Sequence, residues 1–313
     1  MVKHYTNFNI KKLHRGSIIL IGNFDGLHLG HQKLFKFANF YKKKFKLKIG
    51  VITFDPIPKM FFNPNFKNYR ISNLEEKINF LTRCNVDFII NKKFDLSFSK
   101  TSYYDFIKKI IFKKINPEFI FVSNNFKFGN KREGNVNSLI KYSKSFDYKV
   151  VKPAPLKKKS KVISSTLIRK LLNKGKLKLA NKYLNRNWSI IGKVRVGRKM
   201  GRKIGFPTCN IDIKDYVIAK PGVYSVKIQI GKNKKYLKGI ANLGYRPTFN
   251  QKKILLEVNI FNFSKNIYLK KIKVEFIKFI RAERKFRNIN QLKKQIDKDI
   301  FDCKRVKIWA KIR

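Results

Sequence analysis

The sequence predicts two domains in tandem: an α/β domain built on a parallel sheet, then a small antiparallel β-barrel followed by a C-terminal helix. Two observations carry this. Short apolar runs alternate with longer amphipathic ones over the first 186 residues, and beyond Trp188 the apolar period drops to two. The length of 313 residues also fits two domains at about 150 residues each.

In the first part, strands are predicted at Ser17–Ile21, Lys48–Phe54, Asp87–Asn91, Phe119–Ser123 and Tyr148–Lys152. Helical patterns fall between them at Gln32–Lys43, Leu74–Thr82, Ser102–Lys113 and Val136–Ser145. Strand–helix alternation at this spacing implies βαβ units on a parallel sheet. Two further helices, Ser165–Asn173 and Leu177–Leu184, follow, with Gly175 as a terminator between them. In the second part, Val226–Ile230 and Ile272–Phe276 alternate apolar with polar residues, as half-buried antiparallel strands require. Turn signals recur at Gly197–Gly205, Gly231–Asn233 and Phe263–Asn266, and the helical period returns from Asn290. The boundary is set by periodicity, giving domains 1–186 and 187–313.

The charge is extreme: 74 Lys+Arg against 18 Asp+Glu, a formal net charge of +56 with a pI near 10.4. A hydrophobic content of 43% and 14% aromatics exclude a disordered polycation, which lacks the apolar residues to offset ordering entropy. A pI this high is also the footprint of a nucleic-acid binder. The distribution argues otherwise, because residues 1–186 hold 41 basic and 10 acidic residues and the remainder 33 and 8. There is no basic tail, and the longest pure run, Lys157–Lys159, falls in a predicted loop. Lys, Asn, Ile and Phe are inflated together, which is compositional drift. No specific nucleic-acid partner is expected.

Cys84, Cys209 and Cys303 are far apart and form no CxxC pair, so neither a zinc site nor a disulfide framework is implied. No apolar run reaches membrane-span length, and the N-terminus lacks the apolar stretch of a secretory signal. The expectation is a soluble cytoplasmic protein.

The first predicted strand runs into Gly22-Asn-Phe24-Asp25-Gly26-Leu-His28-Leu-Gly30-His31 and then a helix. Glycines let backbone approach a ligand closely, and a helix N-terminus offers free amides to an anion. Two imidazoles three residues apart at that point can donate to phosphate oxygens and stabilise charge that develops in displacement at phosphorus. Only four His occur in the chain, and two stand here. Pro56 and Pro58 stiffen the end of the next strand. Phe62 and Phe128 offer faces for a flat ring, or equally pack a core. Ser164, Ser165 and Thr166 put hydroxyls at a helix start with Arg169 one turn on, which suits either an N-cap or a phosphate contact.

In the second domain Gly197, Gly201 and Gly205 space a basic loop that closes on Pro207, Thr208 and Asn210. Such glycines let a loop wrap phosphates, and the Thr and Asn oxygens suit a hard cation such as Mg²⁺. Glu257 stands in the apolar run Ile254–Ile260, where carboxylates are scarce. It suits a general base or an outward-facing strand residue.

These segments resemble, in order and over nearly the whole chain, the bacterial bifunctional riboflavin kinase/FMN adenylyltransferase family. Gly22–His31 is similar to the HxGH signature of nucleotidyltransferases. Thr53-Phe-Asp-Pro-Ile-Pro58, Asn125-Phe-Lys-Phe-Gly129 with Arg132, and Ile163-Ser-Ser-Thr-Leu-Ile-Arg169 resemble its following motifs. Gly197–Asn210, Leu256-Glu257-Val258 and Arg281–Phe286 resemble the riboflavin kinase signature and its closing segments. The resemblance implies a nucleotidyltransferase-like, Rossmann-type first domain. There Gly22, Phe24, Asp25, Gly26, Gly30, Ser164, Ser165, Thr166 and Arg169 bind ATP. His28 and His31 are catalytic, and Pro56, Pro58, Phe62, Asn125 and Phe128 bind flavin. In the barrel it implies ATP binding by Gly197, Gly201, Gly205 and Pro207, Mg²⁺ at Thr208 and Asn210, and Glu257 as base. The implied partners are riboflavin, FMN and ATP. The sequence departs from the family pattern at Ser123-Asn124 and Leu269, where Gly is usual, at Cys209 for Ala, and at Asn259 for His. Cys209 replaces small with small and is not expected to act as a nucleophile.

Overall fold

A computed structural model describes residues 1–196, 200–213, 215–231, 233, 235–248 and 251–306. They gather into two compact units, residues 1–67 with 74–164, and residues 68–73 with 165–313. Both architectures predicted from the periodicity are present.

The first unit contains strands β1 (Lys3–Tyr5), β2 (Ile18–Ile21), β3 (Ile49–Asp55), β4 (Phe88–Lys93), β5 (Phe119–Phe121), β6 (Lys127–Phe128), β7 (Gly134–Asn135), β8 (Lys149–Val151), β9 (Lys157–Lys158) and β10 (Lys161–Val162). Six of them form one sheet in the order β1-β4-β3-β2-β5-β8, every pair parallel. A parallel sheet is buried on both faces, so its strands read as unbroken apolar runs. Accordingly Ile18 and Leu20 pack into one hydrophobic cluster, and Ile19 and Ile21 into another on the opposite face. Edge strand β1 apart, chain order runs outward from β2 in both directions, so the strand order reverses between β2 and β5. Ligands of open α/β sheets bind outside the carboxyl ends of the strands at that reversal.

Three local differences from the sequence reading have simple causes. Edge strand β1 has no apolar run; it joins through main-chain pairing with β4. The predicted Ser102–Lys113 helix is wound as a π-helix over Phe106–Ile115, which buries Phe106, Ile107, Ile110, Ile111 and Ile115. Apolar spacing alone does not distinguish that winding. The lysine run expected in a loop makes a β9–β10 hairpin instead, turned by Lys159 and Ser160 at φ 46° and 61°.

The second unit contains β11 (Ser189–Arg195), β12 (Cys209–Asp212), β13 (Gly222–Ile230), β14 (Leu237–Thr248), β15 (Gln251–Ile260) and β16 (Lys271–Ala282). They close a barrel in the order β11-β12-β15-β14-β13-β16, all antiparallel. Ile211, Tyr224, Leu243, Leu256, Val258, Val274 and Phe276 are almost fully buried. Helices Ser165–Asn173 and Leu177–Leu184 have the predicted bounds. Gly175 terminates the first: it takes φ 69°, and the Gly175 and Lys176 amides donate to Leu172 and Leu171 carbonyls, a Schellman ending. Residues 68–73 belong to this unit, where the Trp188 indole N–H donates to the Ile71 carbonyl at 3.0 Å. The closing helix, Ile289–Arg305, is capped by Asn288.

Candidate active sites

In the first unit the chain leaves β2 through a loop that needs left-handed backbone at Phe24 (φ 48°), Gly26 (φ 76°) and Leu27 (φ 34°). Only the glycine adopts this freely, so about 1–3 kcal/mol of strain is held at each of the other two, as at many functional loops. The loop delivers His28 to the N-cap of the Leu29–Phe45 helix, where its Nδ1 accepts from the His31 amide at 3.4 Å. An accepting Nδ1 puts the proton of the neutral ring on Nε2, making that nitrogen the donor. The His28 and His31 rings stack with centroids 3.8 Å apart and planes 19° apart. Phe24 is buried and meets His31 edge-on at 5.3 Å. A side chain at Gly30 would come within 2.8 Å of the Ile163 carbonyl and 3.1 Å of the His28 ring, so only glycine fits. The backbone just before Ser164 therefore lies against the histidine pair. Gly22 similarly leaves room for the Phe24 ring, and Asp25 is buried beneath the loop.

A second feature of this unit is a cavity of about 320 Å³ walled by phenylalanines. Pro58, Phe62 and Phe128 line it, as do Phe54, Phe94, Phe98, Phe106 and Phe126. Pro58 opens a short helix, Pro58–Phe62, which carries Phe62 to the cavity. Pro56 follows a cis bond from Asp55 and is not part of the wall; nor is Asn125, whose Oδ1 accepts from the exposed Ser123 hydroxyl at 3.0 Å. The sequence offered no signal for Phe94 and Phe98 beyond their being two of 29 phenylalanines, whereas Phe126 falls within the Asn125–Gly129 motif.

Ser165, Thr166 and Arg169 start the Ser165–Asn173 helix and belong to the second unit. The Arg169 guanidinium lies 3.7 Å over the Tyr69 ring, and its Nε donates to the Tyr69 carbonyl at 2.7 Å.

The barrel site is made by strand register. Asn210 of β12 stands opposite Glu257 of β15, Glu257 opposite Asn242 of β14, Asn242 opposite Val223 of β13, and Val223 opposite Arg281 of β16. Leu256 and Val258 point into the barrel core, so Glu257 takes the other face. There it lines a cavity of about 350 Å³ with Gly201, Phe206, Thr208, Asn242, Asn259 and Arg281. Gly201 is needed because a Cβ would clash with the Phe206 carbonyl and sit 3.2 Å from the Thr208 hydroxyl. Gly205 turns the loop at φ 92°. Gly197 lies outside the described residues. Asn259 donates from Nδ2 to the Pro207 carbonyl at 2.7 Å and so ties this loop to β15. Burial pushes the Cys209 thiol up to about 11, which keeps it protonated and unreactive.

The closing helix covers the far side of this cavity. Arg281 donates to both carboxylate oxygens of Asp299 at 2.7–3.0 Å, and Gln295 adds a bond to the same carboxylate at 2.8 Å. Asp299 is 2% exposed. Sequence reasoning gave no role to Asn242 or Glu283, which hydrogen-bond at 3.4 Å on the cavity wall. Alternation acts within one strand, so only the β14–β15 register sets Asn242 opposite Glu257, and Glu283 lies just past the end of β16.

Residues 10–167 match the FAD synthetase family and residues 184–307 the riboflavin kinase family. The bifunctional riboflavin kinase/FMN adenylyltransferase of Buchnera aphidicola (subspecies Schizaphis graminum) is 43% identical, covering 93% of this chain and 94% of its own. Those of Haemophilus influenzae and Escherichia coli K12 are 38% and 34% identical, covering 95% and 91% of this chain and 96% and 90% of their own. A crystal structure of a macrolide-efflux protein from Streptococcus pneumoniae, 29% identical, superposes with a TM-score of 0.85 over 99% of each chain. Among the described residues no helix is long and apolar enough to cross a membrane. Two adjoining family matches in the expected order, and curated relatives alike over almost their entire length, agree with the two sites, and the chain belongs to the bifunctional riboflavin kinase/FMN adenylyltransferase family.

Proposed function

We propose that residues 187–313 phosphorylate riboflavin to FMN with ATP, and that residues 1–186 transfer the adenylyl group of a second ATP to FMN, giving FAD and pyrophosphate. The observation that carries this reading is that each unit has its own cavity, of about 350 and 320 Å³, lined by residues suited to one of the two steps.

In the first step Glu257 accepts the proton of the terminal ribityl hydroxyl as that oxygen attacks the γ-phosphorus and ADP leaves. The glycine loop at Gly201 and Gly205, with Pro207, lies along the nucleotide. Thr208 and Asn210 fit a magnesium ion: both offer hard oxygens, and the buried Asn210 Oδ1 has no hydrogen-bond partner among the described residues. Bound magnesium neutralises phosphate charge. In the second step a phosphate oxygen of FMN attacks the α-phosphorus of ATP and pyrophosphate departs, with no covalent enzyme intermediate. His28 and His31 donate to the oxygens on which charge accumulates. Gly22, Phe24, Asp25, Gly26, Gly30, Ser164, Ser165, Thr166 and Arg169 hold the nucleotide. The phenylalanine cavity, with Pro56 and Asn125 beside it, takes the isoalloxazine ring.

Both reactions use soluble substrates, and a cytoplasmic setting is supported by three free cysteines. Specific nucleic-acid binding forms no part of the reading. Incubating the protein with riboflavin, ATP and magnesium, and separating the flavins by chromatography, tests it. FMN and FAD are both expected, and FMN without FAD sinks the transferase step.

A further inference from the structure

Lysine is abundant on this chain, and compositional drift accounts for it at the surface. It does not account for Lys77. Among the described residues Lys77 is the one lysine that is buried, at 3% exposure. Taking an ammonium out of water is costly unless it is well bonded, so drift alone does not bring one inside.

The bonds of Lys77 point to a use. It sits one turn into the Leu74–Thr82 helix, and its Nζ donates to the Phe54 carbonyl at 2.8 Å and to the Thr53 hydroxyl at 3.2 Å. Thr53 is fully buried, and its hydroxyl in turn donates to the Asn23 carbonyl at 3.3 Å. Asn23 lies between Gly22 and the left-handed Phe24, in the loop that delivers His28 and His31. Phe54 is on the wall of the phenylalanine cavity and leads through Asp55 to Pro56 and Pro58. One ammonium thus ties the end of β3, on the flavin side, to the loop after β2, on the phosphate side. The Thr53 hydroxyl spans the two loops, and Lys77 orients it toward Asn23 by donating to it. The strain at Phe24 and Leu27 makes such a tie necessary, because the loop would otherwise relax.

We propose that Lys77, acting through Thr53, is a positioning residue for adenylyl transfer: it sets the distance and orientation between the histidine pair and the bound flavin phosphate. This rests on the reading that the first unit makes FAD. Misplacement of reacting groups by about 1 Å costs on the order of 100-fold in rate. Replacing Lys77 with Met keeps an unbranched side chain only one atom shorter and removes its donors.

The test is FAD formation from supplied FMN by the full-length chain, with riboflavin phosphorylation as an internal control. For Lys77→Met, kcat is expected to fall about 10- to 100-fold with KM values for ATP and FMN changed less than threefold, as orientation rather than affinity is lost. FMN formation is expected to stay at the wild-type rate. Thr53→Val should lower kcat in the same way, and the double variant should be no worse than either single one, because both break one relay. Thr53→Ser, which keeps the hydroxyl, should retain most of the activity. A wild-type kcat in Lys77→Met, a change confined to KM, or additive losses in the double variant would each overturn the proposal. If Lys77→Met fails to fold, the Thr53→Val and Thr53→Ser pair decides it, and equal activity in the two rejects it. A wild-type chain that makes no FAD overturns the reaction assigned to this unit and the role of Lys77 with it.

Discussion

The two sites of this chain are assembled in opposite ways. The α/β unit makes the heart of its site from one continuous stretch, Gly22–His31, in which a helix N-terminus, strained loop residues and two stacked imidazoles are sequence neighbours. The barrel makes its site from residues as far apart as Gly201, Asn242, Glu257 and Asp299. There the unit of assembly is the row Asn210–Glu257–Asn242–Val223–Arg281, which exists only because five strands pair in one register. A local site is legible as a motif, whereas a register-built site is legible only as fragments. The local site is held against backbone strain by its helix cap and the Thr53 bond, and the register-built one depends on the barrel remaining closed.

The comparison can be broken or sharpened experimentally. The largest effect is expected at Glu257. Glu257→Gln keeps the shape of the row and removes the base, so FMN formation should fall about 10²- to 10⁴-fold. FAD formation from supplied FMN should be untouched, and flavin chromatography reads both. Loss of both activities would show that the sites are not separable. Next comes the ion pair that seats the closing helix. Arg281→Met leaves the Asp299 carboxylate buried without its guanidinium, and the barrel should lose about 3–5 kcal/mol of unfolding free energy in denaturant titrations. Riboflavin phosphorylation should decline with it while FAD formation from FMN persists; an unchanged midpoint would mean that the helix is held by apolar contacts alone.

The smallest effect concerns Leu269, exposed at 71% with φ 62°, where the family usually has glycine. A leucine there holds a backbone that only glycine adopts without cost. Leu269→Gly should raise stability by about 0.5–1 kcal/mol, since relief of the strained φ exceeds the added entropy of an unfolded glycine. A lower thermal midpoint would show that the leucine side chain offsets its own strain.

Much of the molecule was legible in advance for identifiable reasons. Strands β2, β3, β4, β5 and β8 of the first unit, the two helices around Gly175 and the change of period at the barrel all follow from local apolar spacing and local backbone chemistry. The histidine loop was legible because glycines, imidazoles and a helix start are contiguous. Other features had no local signature. Strand β1 lacks an apolar run and exists because β4 offers an open edge. The phenylalanine cavity draws Phe94 and Phe98 from one stretch and Phe126 from another, and in a chain with 29 phenylalanines no pattern singles out Phe94 and Phe98.

The net charge of +56 marks the same division. Composition and local spacing determined that lysine would cover this protein, that a real core would form beneath it, and that its period would be helical in one place and two in another. Those are properties of near neighbours along the chain. Tertiary structure decided that Lys77 was drawn inside to tie two loops together, which asparagines flank Glu257, and which carboxylate receives Arg281. Each depends on segments tens of residues apart meeting at one register and one depth, and burial gives such a contact its energetic weight.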